Sequence, residues 1–452
     1  MASFSRPSAV SFSRLGVLLA ASTVLFGCSE TNFEEATGKG QVRGIHAVAA
    51  LDDVTFLIEE FGLGTIAFKA SSATAPYDDL SYTFNFDLPF PDGSAPARVA
   101  SLFVDVVADT EYSFVLAGTP GTEQIFLWER PEREWAGTET TFDVVIGHAN
   151  STAGSVDVFL AADGTTPVAG NEIGTLAFGE RLDPLELEGG DYELILTRAG
   201  DPADILYRGT TATIGAAQSY VFLIADADPS ITAPVAVRLI NAEGTAAEIP
   251  DERFSPTVQF FNTSFESGAI DIIVDGDFAN PAVSNLAFGA LSDDIVVAAD
   301  SNVQFVPTGN TMPLIELDLL LGVGTRNMLL LLGDSADLRL LQLPALRRGL
   351  STAAQLRLTN TGTDTDAVNI YTVAPGTVID TSTFPAVFQR SEGFTAFVKR
   401  TPGDIEISVT NGDVSATLAG PEPATLAVNE TLDLFVLDTA DPNVASIVLV
   451  TN

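Results

Sequence analysis

Two histidines, His46 and His148, make up the whole imidazole inventory of the 452-residue chain. A zinc centre or a general acid/base would draw on them. They lie 102 residues apart in corresponding contexts, "GIHAVAALDDV" and "IGHANSTAGSV", and Asn262 and Asn360 fill the same place in two later contexts. Asparagine is a poor zinc ligand and no base, whereas both residue types can hydrogen-bond a loop backbone at a strand end. The four positions therefore point to a structural role. No G-x-S-x-G elbow, Walker loop or G-x-G-x-x-G dinucleotide fingerprint occurs. No catalytic, cofactor-binding or metal-ligating residue is assigned, and the expectation is a protein that is not an enzyme.

Acidic loops are the best ligand candidates. "TGTDTDAVN" sets Asp364 and Asp366 beside Asn369, "DGDFAN" holds Asp275 and Asp277, and "DADPS" holds Asp226 and Asp228. Calcium takes six to eight oxygens, which such loops could supply. None has EF-hand spacing, and aspartate favours turns for its own reasons. Calcium is the minor reading here and solvated turn carboxylates the main one. Aromatic residues are weighed in the same way. "SYTFNFDLPF" places Tyr82, Phe84, Phe86, Leu88 and Phe90 on one side of a strand, and "FLWERPEREW" holds both tryptophans, Trp128 and Trp135. Either could stack sugars, but a core strand and a packed junction between repeats account for them better.

The only cysteine, Cys28, follows a basic segment with Arg6 and Arg14, an apolar run from Leu15 to Phe26, and Gly27. That pattern is a secretory signal peptide, too short for a membrane span. Leu25-Phe26-Gly27-Cys28 resembles the lipobox of bacterial lipoproteins, with Leu25 and Gly27 as signal-peptidase recognition residues and Cys28 as the lipidation site. The resemblance implies a membrane partner reached through a lipid anchor. Ser29 after the cysteine, in place of aspartate, implies the outer membrane, with the face left open. A single cysteine also allows no intrachain disulfide, so every domain must be stable by packing alone.

The formal charge is −39, from 60 acids and 21 bases; without residues 1–27, which carry two arginines, it becomes −41. Such a surface repels nucleic acid, and that partner class is excluded. With 46% hydrophobic residues and 29 phenylalanines, the chain is not a disordered acidic protein.

The elements that must position these residues come from internal repetition. "VRGIHAVAALDDVTFLI", "VVIGHANSTAGSVDVFL", "VQFFNTSFESGAIDIIV" and "LRLTNTGTDTDAVNIYT" share a start, with anchors 102, 114 and 98 residues apart. A block ending at Phe68, Phe178, Phe288 and Phe388 follows in each, then an apolar run ("YSFVLAG", "YVFLIAD", "NMLLLLGD", "LDLFVLD") and a closing strand. The periodicity of two, with Gly, Pro, Asn and Asp between runs, predicts antiparallel strands. Five apolar residues in succession, Met328 to Leu332, predict a strand covered on both faces. The fold expected is all-β: four tandem antiparallel, Ig-like β-sandwich domains after a lipoprotein signal peptide. The divisions are 1–27 signal peptide, 28–41 lipidated cysteine and polar tether, 42–135 repeat 1 with an insertion, 136–242 repeat 2, 243–349 repeat 3 and 350–452 repeat 4.

These blocks are similar to the bacterial domain of unknown function 4397, through His148-Ala149, Val156 to Phe159 and Leu176 to Gly179 in repeat 2, and Asn262, Ile270 to Ile272 and Leu286 to Gly289 in repeat 3. The resemblance implies an Ig-like or transthyretin-like sandwich at the cell surface and no activity. The function expected is a lipid-anchored envelope protein that presents its repeats as a non-catalytic binding or adhesion module, for a protein or glycan ligand. The alternative is a purely structural envelope spacer, and an uncharacterised hydrolase ranks third.

Overall fold

The computed structural model describes residues 35–161, 164–363 and 367–452, so Leu25, Gly27, Cys28, Asp364 and Asp366 lie outside the described residues. Ala36–Asn452 forms one compact all-β unit. Its first eight strands are β1 (Lys39–His46), β2 (Val54–Ile58), β3 (Phe61–Ile66), β4 (Ala75–Asp78), β5 (Ser81–Leu88), β6 (Ala97–Asp105), β7 (Thr110–Ala117) and β8 (Gln124–Pro131). They make two sheets, β4-β1-β7-β8 and β3-β2-β5-β6, which close on one core. Pairing is antiparallel except for β1 and β7, which run parallel. The same strand order recurs in three further sheet pairs along the chain. We refer to the four pairs as the first to fourth sandwiches.

The segment "SYTFNFDLPF", read as the insertion in repeat 1, supplies an integral strand. β5 holds the place that Gly190–Arg198, Asn302–Pro307 and Gly403–Asn411 hold in the later sandwiches. Its alternation is that of a core strand: Phe84, Phe86 and Leu88 are buried, and Phe84 stacks on Phe114 at 3.8 Å.

In each sandwich the sheet that contains the parallel pair is buried on both faces. In β7, Tyr112, Phe114 and Leu116 enter the sandwich's own core, while Val115 and Ala117 point outward into a second cluster shared with Val145, Val221 and Leu223 of the second sandwich. Likewise, Leu329 and Leu331 face the third core, while Met328, Leu330 and Leu332 meet Phe435 and Leu437 of the fourth. Double burial is why these strands are apolar at nearly every position while their neighbours alternate. Each such Val, Leu or Phe contributes about 1.5–3 kcal/mol.

The first two sandwiches thus lie side by side, as do the last two, and the two pairs stack end to end. Segments at the lower end of the fourth sandwich, where its first strand begins, meet the loop after β1. Arg348 Nη1 donates to Ala49 O (3.0 Å) and Leu51 O (2.7 Å), Ser351 N donates to Ala50 O (2.8 Å), and Lys399 pairs with Asp52. The third sandwich stands on the second in the same sense: Thr232 N donates to Gly324 O at 2.9 Å and Arg347 N to Ser230 Oγ at 3.0 Å.

One strand makes this stacking possible. Val235–Ile240 ends at the lower end of the second sandwich, and Ala246–Ile249 then runs back up beside it, antiparallel, before the chain enters the third. The division at 242 therefore moves: Ala246–Ile249 belongs to the second sandwich, whose core includes Ile249 and whose Tyr207 hydroxyl donates to Ile249 O at 2.5 Å. The longest anchor spacing, 114 residues, is the one that contains this rising strand.

Candidate functional site

The four strand-end positions behave alike. His46 Nε2 donates to Asp52 O (3.1 Å), His148 Nε2 to Gly154 O (2.7 Å) and Asn262 Nδ2 to Gly268 O (2.8 Å), in each case to the carbonyl six residues on. Asn360 Nδ2 donates to Arg390 O at 3.0 Å. The other imidazole nitrogen accepts: Val48 N donates to His46 Nδ1 and Asn150 N to His148 Nδ1. A proton on Nδ1 would remove that second bond inside a buried site. Burial accordingly pushes His46 down to about 3 and lowers His148. Both rings are thereby held toward the neutral form.

The described acidic loop residues are occupied as acceptors, Asp228 and Asp277 within their own turns and Asp226 and Asp275 from other segments. Asp226 accepts from Ser151 N (2.9 Å) and Oγ (2.8 Å), and burial raises its pKa. Asp228 accepts from Ser230 N, Asp275 from Asn302 N and Ser301 Oγ, and Asp277 from Asn280 N and Nδ2. Asn369 ties Asn411 O to Gln389 N. Among the described residues no group of three or more His, Cys, Asp or Glu is placed to hold a metal ion.

The junction of the first and second sandwiches is the most elaborate polar site. Trp128 lies flat over Gly147, where a Cβ would come within 2.4 Å of the indole, and its Nε1 donates to Gly179 O at 2.9 Å. Close approach of two sheets there requires glycine on one and a large ring on the other. Below it, Glu111 binds two guanidinium groups, Arg43 at 2.9 Å and Arg130 at 2.5 Å. Arg43 reaches across to Asn241 O (3.0 Å) and Arg130 to Tyr220 O (3.2 Å). Burial lowers Arg43 to about 10, with Glu111 opposing the shift, so it stays charged at neutral pH. Trp135 closes the site: its Nε1 donates to Ser219 Oγ (3.0 Å), and the Arg133 guanidinium lies 3.9 Å from its ring centre. The cleft left open is about 300 Å³, lined by Gln41, Glu111, Glu132, Trp135, Gln218 and Glu243 among others. Its lining combines carboxylates, side-chain amides, the Arg133 guanidinium, the Thr74 and Ser219 hydroxyls and one indole ring.

The last pair of sandwiches repeats the device. Arg357, fully buried, pairs with Asp433 through Nε (2.5 Å) and Nη2 (2.6 Å), and its Nη1 donates to Pro344 O of the third sandwich. Sequence reasoning passed over these arginines, yet the signal was present: "VRGIH" and "LRLTN" each place a lone charge inside an apolar strand.

No protein-family profile matches the chain, and no curated protein does. Among solved structures the chain is similar to the Bacillus anthracis TIE protein, at 8% identity over 89% of this chain and 69% of that chain, with a TM-score of 0.15. A likeness that low carries no argument. Among the described residues no helix is long and apolar enough to cross a membrane, which says nothing of β-barrels.

Proposed function

We propose that the protein is a lipid-anchored component of the cell envelope, held at Cys28 and presenting four tandem β-sandwich repeats as a non-catalytic binding or adhesion module. The second repeat reaches Ile249 in this reading. The observation that carries it is the end-to-end stacking. The described chain starts at the lower end of the first sandwich, and the stacking places the upper loops of the third and fourth sandwiches at the opposite end of the block. Buried sheet faces and buried arginines that donate to a neighbour's backbone carbonyls favour a fixed platform over beads on a string. The lipobox supports the anchor, and Ser29 supports the outer membrane.

Membrane fractionation of Cys28→Ala tests the anchor: the variant leaves the membrane pellet, and a variant that stays there and is cut at the same bond overturns it. External protease on intact cells, read through a tag after Asn452, tests display. Loss of the tag supports the binding module. Protection until the envelope is broken favours the structural spacer, which the regular stacking alone would also serve.

A further inference from the structure

One backbone bond marks an equivalent upper position in every sandwich. Lys69 N donates to His46 O (2.8 Å), Gly179 N to His148 O (2.7 Å), Gly289 N to Asn262 O (2.8 Å) and Gly393 N to Asn360 O (2.8 Å). The residues just before these donors, Phe68, Phe178, Phe288 and Glu392, therefore occupy one place, and Glu392 rather than Phe388 is the fourth member.

At three of the four, another sandwich supplies the partner. The Arg348 guanidinium carbon lies 5.2 Å from the Phe68 ring centre, Phe126 packs edge-on to Phe178 at 5.0 Å, and Arg339 pairs with Glu392. Phe288 touches the cluster between the third and fourth sandwiches, but its aromatic partner is Phe265 of its own sandwich, at 5.3 Å and 90°. No cation among the described residues stands over either ring. Phe265 is 43% exposed at the upper end of the block. Around it, Glu266 accepts from Ser335 N and Oγ, and Asp334 accepts from Ala336 N; neither has a cationic partner among the described residues.

We propose that this tip, Phe265 and Phe288 flanked by Glu266 and Asp334, docks an arginine-bearing segment of another protein. The chain carries its own template. On the first sandwich, the Arg348 guanidinium lies over Phe68 while one nitrogen serves two loop carbonyls, and the Lys69 ammonium sits farther out, 5.5 Å from the same ring centre. A planar, weakly hydrated guanidinium suits a ring face with adjacent acceptors, where an ammonium ion fits less well. Two unpaired carboxylates supply the complementary charge, and they disfavour an anionic lipid surface as the occupant.

The inference rests on the reading of the chain as a binding module, and its test is separate from the test of display. Anisotropy of a fluorescent peptide of alternating Gly and Arg is measured against the full-length protein in detergent at about 0.15 M salt. Peptides with Lys or Gln replacing Arg serve as comparisons. The Arg peptide binds, the Lys peptide binds several-fold more weakly and the Gln peptide does not bind. Phe265→Ala/Phe288→Ala, which leaves the charge unchanged, weakens Arg binding about tenfold, while Phe103→Ala, at an exposed ring of the first sandwich, does not. Phe265→Ala alone, at an exposed site, gives the same direction should the double variant unfold. Equal binding of Arg and Lys peptides, or binding that survives loss of the rings, overturns the proposal. So does a ring-dependent affinity for zwitterionic liposomes. Protease protection on intact cells with peptide affinity intact would remove display and leave the site standing.

Discussion

Replacing Arg357 with alanine tests the junction between the third and fourth sandwiches most sharply. Both side chains of the Arg357–Asp433 pair are fully buried, and the remaining donor to Asp433 is the neutral amide of Asn452, at 2.9 Å. Arg357→Ala therefore strands a carboxylate in low dielectric and also frees Pro344 O of the third sandwich. Breaking a buried pair from one side costs about 3–5 kcal/mol. For the third and fourth sandwiches melting together, a unit of roughly two hundred residues, each kcal/mol lowers the melting temperature by about 2–4 °C, so a fall of more than about 6 °C is expected in the transition that includes the fourth sandwich. Arg357→Met/Asp433→Leu removes both charges, keeps apolar volume and restores most of the loss. Differential scanning calorimetry reads both variants. The reasoning is refuted if Arg357→Ala melts within a few degrees of the parent, or if the apolar double variant is no more stable than the single one.

The side-by-side contact of the first pair is checked by Gly147→Ala, whose new methyl collides with the Trp128 ring. The cost is about 1–3 kcal/mol in urea unfolding, and much of it vanishes in a Trp128→Ala background, since the two sites share one space. Acid stability depends on His46. Its folded pKa, about 3, lies below the unfolded value of about 6.5, so the unfolded chain takes the proton first. Stability then falls as the pH drops from about 6.5 toward 3, by about 2 kcal/mol at pH 5. His46→Asn, the residue type used by the third and fourth sandwiches, loses about that much less between pH 7 and pH 5 than the parent does. Deleting Glu243–Ile249 removes the rising strand, whose four residues span roughly 13 Å. The third sandwich then cannot stand on the second, and small-angle scattering should report a larger radius of gyration.

Much of this was legible in the sequence because burial imposes a pattern. Met328 to Leu332 declared a strand covered on both faces, and Phe435 and Leu437 are what cover it. His46 and Asn262 could be recognised as equivalents because both side chains can donate to a loop carbonyl. Trp128 read as junction packing, which it is. What stayed hidden depended on contacts between distant segments. Arg348 and Ala49 are 299 residues apart, and no local pattern pairs them. Glu392 escaped notice because its place in the loop is set by a backbone bond, while its side chain differs from the phenylalanines it replaces. The rising strand left only an irregular spacing, which signals extra chain without saying where it runs.

The position of β1 bears on how the protein responds to force. The first strand among the described residues lies inside its sheet, paired with β4 on one side and running parallel to β7 on the other. A pull on the chain start, resisted at the far end of the stack, acts along β1 and loads its six register positions with β7 together in shear. Peeling them one at a time would require a pull across the sheet. Rupture under such a pull follows the unfolding rate, not the equilibrium stability, so the parallel β1–β7 pair is placed to resist tension applied ahead of Lys39.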